Sequence, residues 1–185
     1  MANLLTAARI LLLVPLYGLL IWDVVGHRWI ALALFLLAGL TDILDGLIAR
    51  TLGQTSALGA LLDLTADRLL TLTVVIGLIA AHVLRGPFAV AGLVLVARDL
   101  IVASMGEAAQ GRLQIRVTPP ERMKIALQFT GFALLIAPPQ TFGSLRSEDL
   151  GAAALALSAA LACVILVGYA RLAGRALRPE PPSGA

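Results

Sequence analysis

Four aspartates lie close together in an otherwise apolar part of the chain. Asp42 and Asp45 are three residues apart, and Asp63 and Asp67 are four apart. On helices, both spacings place the two members of a pair on one face. A carboxylate at membrane depth costs about 2.5–3.5 kcal/mol on insertion scales, and facing carboxylates repel one another unless protons or cations neutralise them. The aspartates therefore predict a metal site; the alternative is that they are unrelated carboxylates at helix ends.

A site built only from carboxylate oxygens favours hard divalent cations. Mg2+ and Mn2+ take octahedral oxygen shells that also accept substrate phosphates. Such ions neutralise phosphate charge and align an in-line attack. The cluster therefore predicts phosphoryl-group chemistry with Mg2+ (or Mn2+) at a membrane surface. A divalent-cation transporter would also bury carboxylates of this kind and is the alternative of another class.

The composition is that of a membrane protein. Of the 185 residues, 59% are hydrophobic and 14% are charged, and the mean hydropathy is +0.94. Backbone in lipid must satisfy its own hydrogen bonds, so long apolar runs predict helices. We expect an all-α integral membrane protein with six transmembrane helices in one bundle, forming one domain over 1–175 with a disordered cytoplasmic tail over 176–185. The predicted spans are residues 4–22, 29–49, 57–82, 87–107, 122–138 and 150–173.

The basic residues indicate how the chain lies in the membrane. The net charge of +3 does not predict nucleic-acid binding, because the basic residues sit in short loops between apolar runs. Most of them fall on one side of the predicted bundle, which places both termini and the mouth of the aspartate cluster in the cytoplasm. We therefore expect a bacterial-type inner (plasma) membrane protein whose site faces the cytoplasm. The basic residues on this side are Arg50, Arg112, Arg116, Arg122, Lys124 and the arginines of the tail.

The aspartate stretch resembles the signature of the CDP-alcohol phosphotransferase (CDP-alcohol phosphatidyltransferase) family, D-x-x-D-G-x-x-A-R-x8-G-x-x-x-D-x-x-x-D. The resemblance implies a six-helix membrane enzyme that moves a phosphatidyl or similar group from a CDP-linked donor, here CDP-diacylglycerol, to an alcohol and releases CMP. It also implies a homodimer. All of the fixed positions are matched, by Asp42, Asp45, Gly46, Ala49, Arg50, Gly59, Asp63 and Asp67.

The resemblance also implies a role for each of these residues. Three aspartates would hold two metal ions, while Asp67 would complete the second ion's shell and act as the general base on the attacking hydroxyl. Arg50 would contact a phosphate of the CDP group. The glycines would let the nucleotide approach the backbone, although small residues also line helix contacts in membranes. The implied metal ligands are Asp42, Asp45, Asp63 and Asp67, and the implied CDP pocket is Gly46, Ala49, Arg50 and Gly59.

The first span carries a polar strip. Asn3, Thr6 and Arg9 recur every three residues and therefore share a helical face. This strip is similar to an N-x-x-T-x-x-R start found in many members of the family, and we expect Asn3 and Thr6 to bind the CDP group. The alternative is a helix cap followed by a snorkelling arginine.

A second basic set predicts the acceptor. Charge-assisted hydrogen bonds to phosphate are strong, so the set favours a phosphate-bearing alcohol, for which glycerol 3-phosphate is the first expectation. Pro120-Glu121-Arg122 is similar to the branch that uses inositol phosphate, and Arg98-Asp99 is similar to the family's cardiolipin synthases. Two further alternatives are that Arg98 and Asp99 neutralise each other and that the basic loop anchors anionic lipids. The predicted acceptor-binding residues are Arg98, Arg116, Arg122 and Lys124.

Overall fold

The computed structural model describes residues 2–22, 25–52, 57–108 and 118–176. Within these ranges the chain forms six α-helices and one short antiparallel hairpin. The hairpin pairs β1 (Thr141–Phe142) with β2 (Leu145–Arg146) immediately before the last helix. The helices are α1 (Ala2–Ile21), α2 (Val25–Leu52), α3 (Ala57–Ala80), α4 (Pro87–Ala108), α5 (Pro119–Ile136) and α6 (Ser147–Ala176).

The six predicted spans are confirmed as helices, with limits that differ by a few residues. The fifth helix begins three residues earlier than predicted, at Pro119. Thr118 precedes it in an extended conformation, and a proline in the first turn fits the helix because its fixed φ is already helical and its missing N–H has no partner to lose there. Glu121 lies in the same first turn, where the helix dipole favours a negative charge.

The surface of the bundle is apolar while its interior holds charged side chains. Leu11, Val14 and Val164 are each at least 70% exposed, whereas Arg9 and Arg98 are 2% and 5% exposed. A protein in water keeps its arginines outside, so this inversion indicates an apolar surrounding. By length and composition, two helical stretches among the described residues could cross a membrane, Pro87–Gly106 and Ser147–Leu172, and the shorter apolar stretches are Thr6–Ile21 and Gly26–Thr41.

The helices pack through a core of aromatic and small side chains. α1 contacts both α2 and α3, α6 contacts α4 and α5, and α5 reaches α2 and α3. The ring of Phe35 stacks on Phe129 with 4.6 Å between centroids and meets Phe132 edge-on at 6.2 Å. Gly39 lies directly under the Phe129 ring, where an added Cβ would come within 2.5 Å of a ring carbon. This contact draws α2 against α5.

Two glycines let the backbones of α5 and α6 come close together. A Cβ on Gly131 of α5 would lie 3.0 Å from the carbonyl oxygen of Gly151 on α6, and a Cβ on Gly151 would lie 2.9 Å from Leu135. Small residues at such crossings let two backbones approach closely. α5 is therefore fixed against α6 on one side, while its other side faces α2 and α3 and forms the wall of the polar region described next.

Candidate active site

Asp67 stands where several cavities meet. It lies on α3, is exposed, and lines three cavities of about 480, 240 and 390 Å³. The first two are bounded by charged and polar groups of α4 and α5, and the third is largely apolar. A carboxylate in this position can contact both a polar molecule and the head of a lipid.

The other three aspartates of the predicted metal site lie on the same two helices. Asp42 and Asp45 fall within α2, and Asp63 lies one turn before Asp67 on α3. The helical register assumed for each pair is therefore confirmed. The side chains of Asp42, Asp45 and Asp63 lie outside the described part of the structure, so the four-carboxylate cluster itself remains a prediction.

A chain of ion pairs joins α4 to α5 beside Asp67. Arg98 donates from Nη1 to Asp99 Oδ1 at 2.9 Å and from Nη2 to Glu121 Oε2 at 2.8 Å. Lys124 Nζ donates to the same Asp99 oxygen at 3.0 Å. The side chains of Arg98 and Lys124 are 5% and 4% exposed. The predicted alternative in which Arg98 and Asp99 neutralise each other thus describes the geometry in part, with Glu121 and Lys124 extending the pair.

Two residues of α6 contact this network. The guanidinium carbon of Arg98 lies 5.7 Å from the centre of the Tyr169 ring, within the range of a cation–π contact. Ser158 Oγ donates to the backbone carbonyl of Lys124 at 2.9 Å. α6 thereby contacts the guanidinium of Arg98 and the backbone of Lys124.

The charged lining of the largest of the three cavities is balanced. It includes three basic and three acidic side chains, which sum to zero formal charge. A cation bound at Asp67 would leave the remainder positive, a condition that favours an anionic ligand. The six side chains are Asp67, Arg68, Arg98, Asp99, Glu121 and Lys124.

The predicted acceptor-binding residues do not form one group. Arg98 and Lys124 line the cavity of about 480 Å³, whereas Arg122 is exposed and lines the apolar cavity of about 390 Å³ together with Arg9. Arg116 lies outside the described residues. The sequence analysis placed Arg116, Arg122 and Lys124 in one basic loop, but the first turns of α5 direct Arg122 and Lys124 to different cavities.

The predicted CDP-binding residues are described only in part. Thr6 is 2% exposed on α1, one turn before the equally buried Arg9. Gly59 lies in the first turn of α3 and is half-buried. For the remaining members of this set, the helical backbone is described but the side-chain environment lies outside the described part: these are Asn3 on α1 and Gly46, Ala49 and Arg50 on α2.

Sequence reasoning missed one polar pair at the site. Gln128 Nε2 donates to Thr71 Oγ1 at 3.2 Å, and both residues line the cavity of about 240 Å³. Thr71 follows Asp67 by four residues, and Gln128 follows Lys124 by four. The helical register that paired the aspartates would have extended each face by one turn to these residues.

Comparison with known protein families identifies the family of this chain. The model of the CDP-alcohol phosphatidyltransferase family matches residues 1–167. The chain therefore belongs to this family, as its aspartate signature predicts.

Three relatives within reach of this chain carry names that state a reaction. The CDP-diacylglycerol–glycerol-3-phosphate 3-phosphatidyltransferase of Pseudomonas fluorescens is 32% identical over 150 residues, covering 76% of this chain and 73% of that protein. A probable phosphatidylglycerophosphate synthase of Mycobacterium tuberculosis is 33% identical over 182 residues, covering 96% and 82%. The cardiolipin synthase (CMP-forming) of Rattus norvegicus is 41% identical over 101 residues, covering 54% of this chain and 32% of that protein.

Proposed function

We propose that this protein transfers the phosphatidyl group of CDP-diacylglycerol to glycerol 3-phosphate and releases CMP, as a phosphatidylglycerophosphate synthase of phospholipid biosynthesis. The observation that carries this proposal is the position of Asp67, which borders an apolar cavity and a charged one at once. A transfer between a lipid-linked donor and a polar acceptor needs such a junction. The names of the relatives from Pseudomonas fluorescens and Mycobacterium tuberculosis support the same reaction.

The apolar cavity suits the donor. Its wall is formed by Ala38, Leu70, Ile125 and Phe129, with basic groups at Arg9 and Arg122. Apolar walls accommodate the glycerol backbone and the start of the acyl chains, and arginines bind phosphate oxygens strongly. The CDP group would continue toward α2 and the start of α3, where Gly46, Ala49, Arg50 and Gly59 match the signature, and toward Asn3 and Thr6 on α1. In this arrangement Arg122 binds a phosphate of the donor and not, as the sequence predicted, the acceptor.

The donor atoms at the site fit two divalent cations. The four metal ligands that the signature implies are all aspartates, and the two members of each pair lie one helical turn apart on α2 and on α3. Carboxylate oxygens are the ligands that Mg2+ (or Mn2+) prefers. Asp42, Asp45, Asp63 and Asp67 would hold the ions, which when bound neutralise the diphosphate and the departing CMP.

Asp67 is the residue placed to start the reaction. Its carboxylate takes the proton from the acceptor hydroxyl, and that oxygen forms a bond to the phosphorus that carries diacylglycerol. The bond from this phosphorus to the bridging oxygen of the diphosphate breaks, and its electrons leave with CMP. Because a carboxylate is a weak base at neutral pH, orientation and nearby positive charge have to assist it.

The charged cavity suits a phosphate-bearing acceptor. Once cations occupy the aspartates, the remaining lining carries a net positive charge from Arg68, Arg98 and Lys124 against two carboxylates. Lys124 and Arg98 are buried in ion pairs with Asp99 and Glu121. The acceptor phosphate therefore has to replace one of these carboxylates as the partner of a cation. Arg116 would join them from the basic loop.

We extend the proposal to the setting of the enzyme. All six helices would span the bilayer, with both termini and the site on the cytoplasmic side of a bacterial-type inner membrane, because the loops on that side carry most of the arginines and lysines. Residues 1–175 would form the membrane domain and 176–185 a cytoplasmic tail. The protein would work as a homodimer, as the family resemblance implies.

The test is release of CMP from CDP-diacylglycerol by the purified protein with Mg2+ and each acceptor in turn: glycerol 3-phosphate, inositol phosphate, inositol, serine and phosphatidylglycerol. We expect release with glycerol 3-phosphate, its loss in Asp63→Asn, and its loss on chelation with recovery when Mg2+ or Mn2+ is returned. Absence of release with glycerol 3-phosphate, under conditions where CDP-diacylglycerol still binds, would reject the acceptor. Activity that persists without divalent ions would reject the metal site.

A second candidate function is cardiolipin synthesis. The relative from Rattus norvegicus favours it, because the aligned part is 41% identical, and so does the Arg98-Asp99 pair at the site. In this case the acceptor is phosphatidylglycerol, and the same assay would show CMP release with that lipid in place of glycerol 3-phosphate.

A further inference from the structure

Gln128 Oε1 is a buried polar atom at the site without a hydrogen-bond partner among the described residues, as is Arg98 Nε, whose guanidinium is already held by its other two nitrogens. Gln128 is 8% exposed, and its Nε2 donates to Thr71, but its Oε1 meets neither a donor nor solvent. A buried carbonyl oxygen without a donor is unfavourable, and natural structures rarely keep one without a reason.

The cavity beside this amide is small, and Asp67, the proposed general base, also lines it. Gln128 and Thr71 line the cavity of about 240 Å³ together with Asp67 and Lys124. Thr71 lies one turn beyond Asp67 on α3, and Gln128 lies one turn beyond Lys124 on α5. The carboxylate and the ammonium therefore bound one end of the cavity, and the Thr71–Gln128 pair bounds the region one turn further along both helices.

Asp99 also lines this cavity, but its carboxylate already accepts from Arg98 and Lys124. The rest of the lining is apolar and its side chains offer no hydrogen bonds: Phe35, Leu64, Leu70, Ile125, Phe129 and Phe132. A small ligand with a hydroxyl group would find its partner at the Gln128 amide. The terminal torsion of a glutamine side chain is broad, so a modest turn brings Oε1 toward the cavity.

Exchanging the amide nitrogen and oxygen does not remove the unmatched atom. The Thr71 hydroxyl can accept from Nε2 or donate to Oε1, and in either orientation the second polar atom of the amide is left for a ligand. A hydroxyl group satisfies either atom, because it both donates and accepts.

We infer that Gln128 binds a hydroxyl of the acceptor that does not react, and so makes the enzyme selective for an acceptor with a secondary hydroxyl beside the attacking one. This inference rests on the proposed function. Glycerol 3-phosphate has this arrangement: its primary hydroxyl attacks under Asp67, its phosphate lies toward Lys124, and its middle hydroxyl meets the amide. Thr71 is the positioning residue, since it holds the amide in place.

The test compares glycerol 3-phosphate with 3-hydroxypropyl phosphate, which lacks only the middle hydroxyl. For the wild-type enzyme we expect kcat/KM for CMP release to be about tenfold or more higher with glycerol 3-phosphate, as when a buried hydrogen bond is lost. In Gln128→Met, which keeps the size of the side chain, the ratio of the two kcat/KM values should fall to about one. The matched control is Gln140→Met, the same change at an exposed position after α5, which should keep the wild-type ratio.

Each result has a definite meaning. A wild-type enzyme that releases no CMP with glycerol 3-phosphate contradicts the proposed function itself. An active wild type without preference, or a Gln128→Met enzyme that slows equally with both substrates and keeps its ratio, overturns the inference and leaves Gln128 to packing or a bound water. If Gln128→Met does not fold, Thr71→Val provides the second variant, whose KM should rise for glycerol 3-phosphate and stay near that of the wild type for 3-hydroxypropyl phosphate; an equal rise for both overturns the inference.

Discussion

Replacing Glu121 by glutamine tests whether the ion-pair network holds α4 against α5. Glu121 Oε2 accepts from Arg98 at 2.8 Å, with side-chain exposures of 11% and 5%. The substitution keeps the shape and removes one negative charge, so the four-residue network changes from neutral to a net charge of +1. A hydrogen bond to a charged group contributes about 1.5–3 kcal/mol. Because Asp99 still pairs with Arg98, we expect a loss of this size rather than the ~3–5 kcal/mol seen when a buried charge loses its partner entirely.

The measurement is the free energy of unfolding of the purified protein in mild detergent, with denaturing detergent added stepwise. Fluorescence of Trp22 and Trp29, the two tryptophans of the chain, reports the transition. The control variant is Asp149→Asn, which neutralises an exposed carboxylate in the first turn of α6 and should lower stability by less than about 1 kcal/mol.

A double-mutant cycle then isolates the pair. Arg98→Gln, Glu121→Gln and the double variant should give a coupling energy of about 1 kcal/mol or more, since residues in one ion-pair network are not additive. A Glu121→Gln variant as stable as the control, together with a coupling energy near zero, would refute the reasoning. α4 and α5 would then be held in place by their packing on α6 and not by the ion pairs.

Two further predictions concern the base and the α5–α6 contact. Asp67→Asn should lower kcat about 100-fold or more while CDP-diacylglycerol binding persists; equal loss of turnover and binding would leave Asp67 as a metal ligand only. Gly151→Ala should destabilise the protein by about 1–3 kcal/mol, because the new Cβ would lie 2.9 Å from Leu135. Gly168→Ala on the same helix, whose Cβ meets nothing within 4 Å among the described residues, should be neutral or stabilising, and a similar effect of both changes would contradict the packing argument.

The features that could be predicted from the sequence are those set by local periodicity. Apolar runs bounded by charged or turn residues identified all six helices, because a helix in an apolar surrounding satisfies its backbone internally. The spacing of Asp63 and Asp67 predicted that both lie on one face of a helix, because residues four apart on a helix are neighbours. The hairpin before α6 was not predicted, since each strand has only two residues and its turn depends on Gly143 at a φ of +64°.

The features that could not be predicted depend on contacts between distant helices. Glu121 meets Arg98 across 23 positions in the chain, and Gln128 meets Thr71 across 57. Nothing in the local sequence of either partner identifies the other. The divergence of Arg122 from Lys124 has a local cause, by contrast: the two residues are two apart on α5, and residues at that spacing on a helix do not face the same way.

The charged side chains at the site are either buried in ion pairs or exposed to a cavity, and variants of the two kinds have to be interpreted differently. Arg98 and Lys124 are buried in ion pairs and backed by α6, whereas Asp67 and Arg122 are exposed to the cavities. Removing Arg98 takes away the cation that pairs with Glu121, and removing Lys124 takes one of two cations from Asp99, so either change costs stability whatever the residue does for substrate. A lower activity of an Arg98 variant therefore identifies an acceptor ligand only if KM for the acceptor rises by more than the loss of folded protein explains. Variants of Arg122 do not carry this ambiguity, because its exposed side chain can lose a substrate contact without breaking a buried pair.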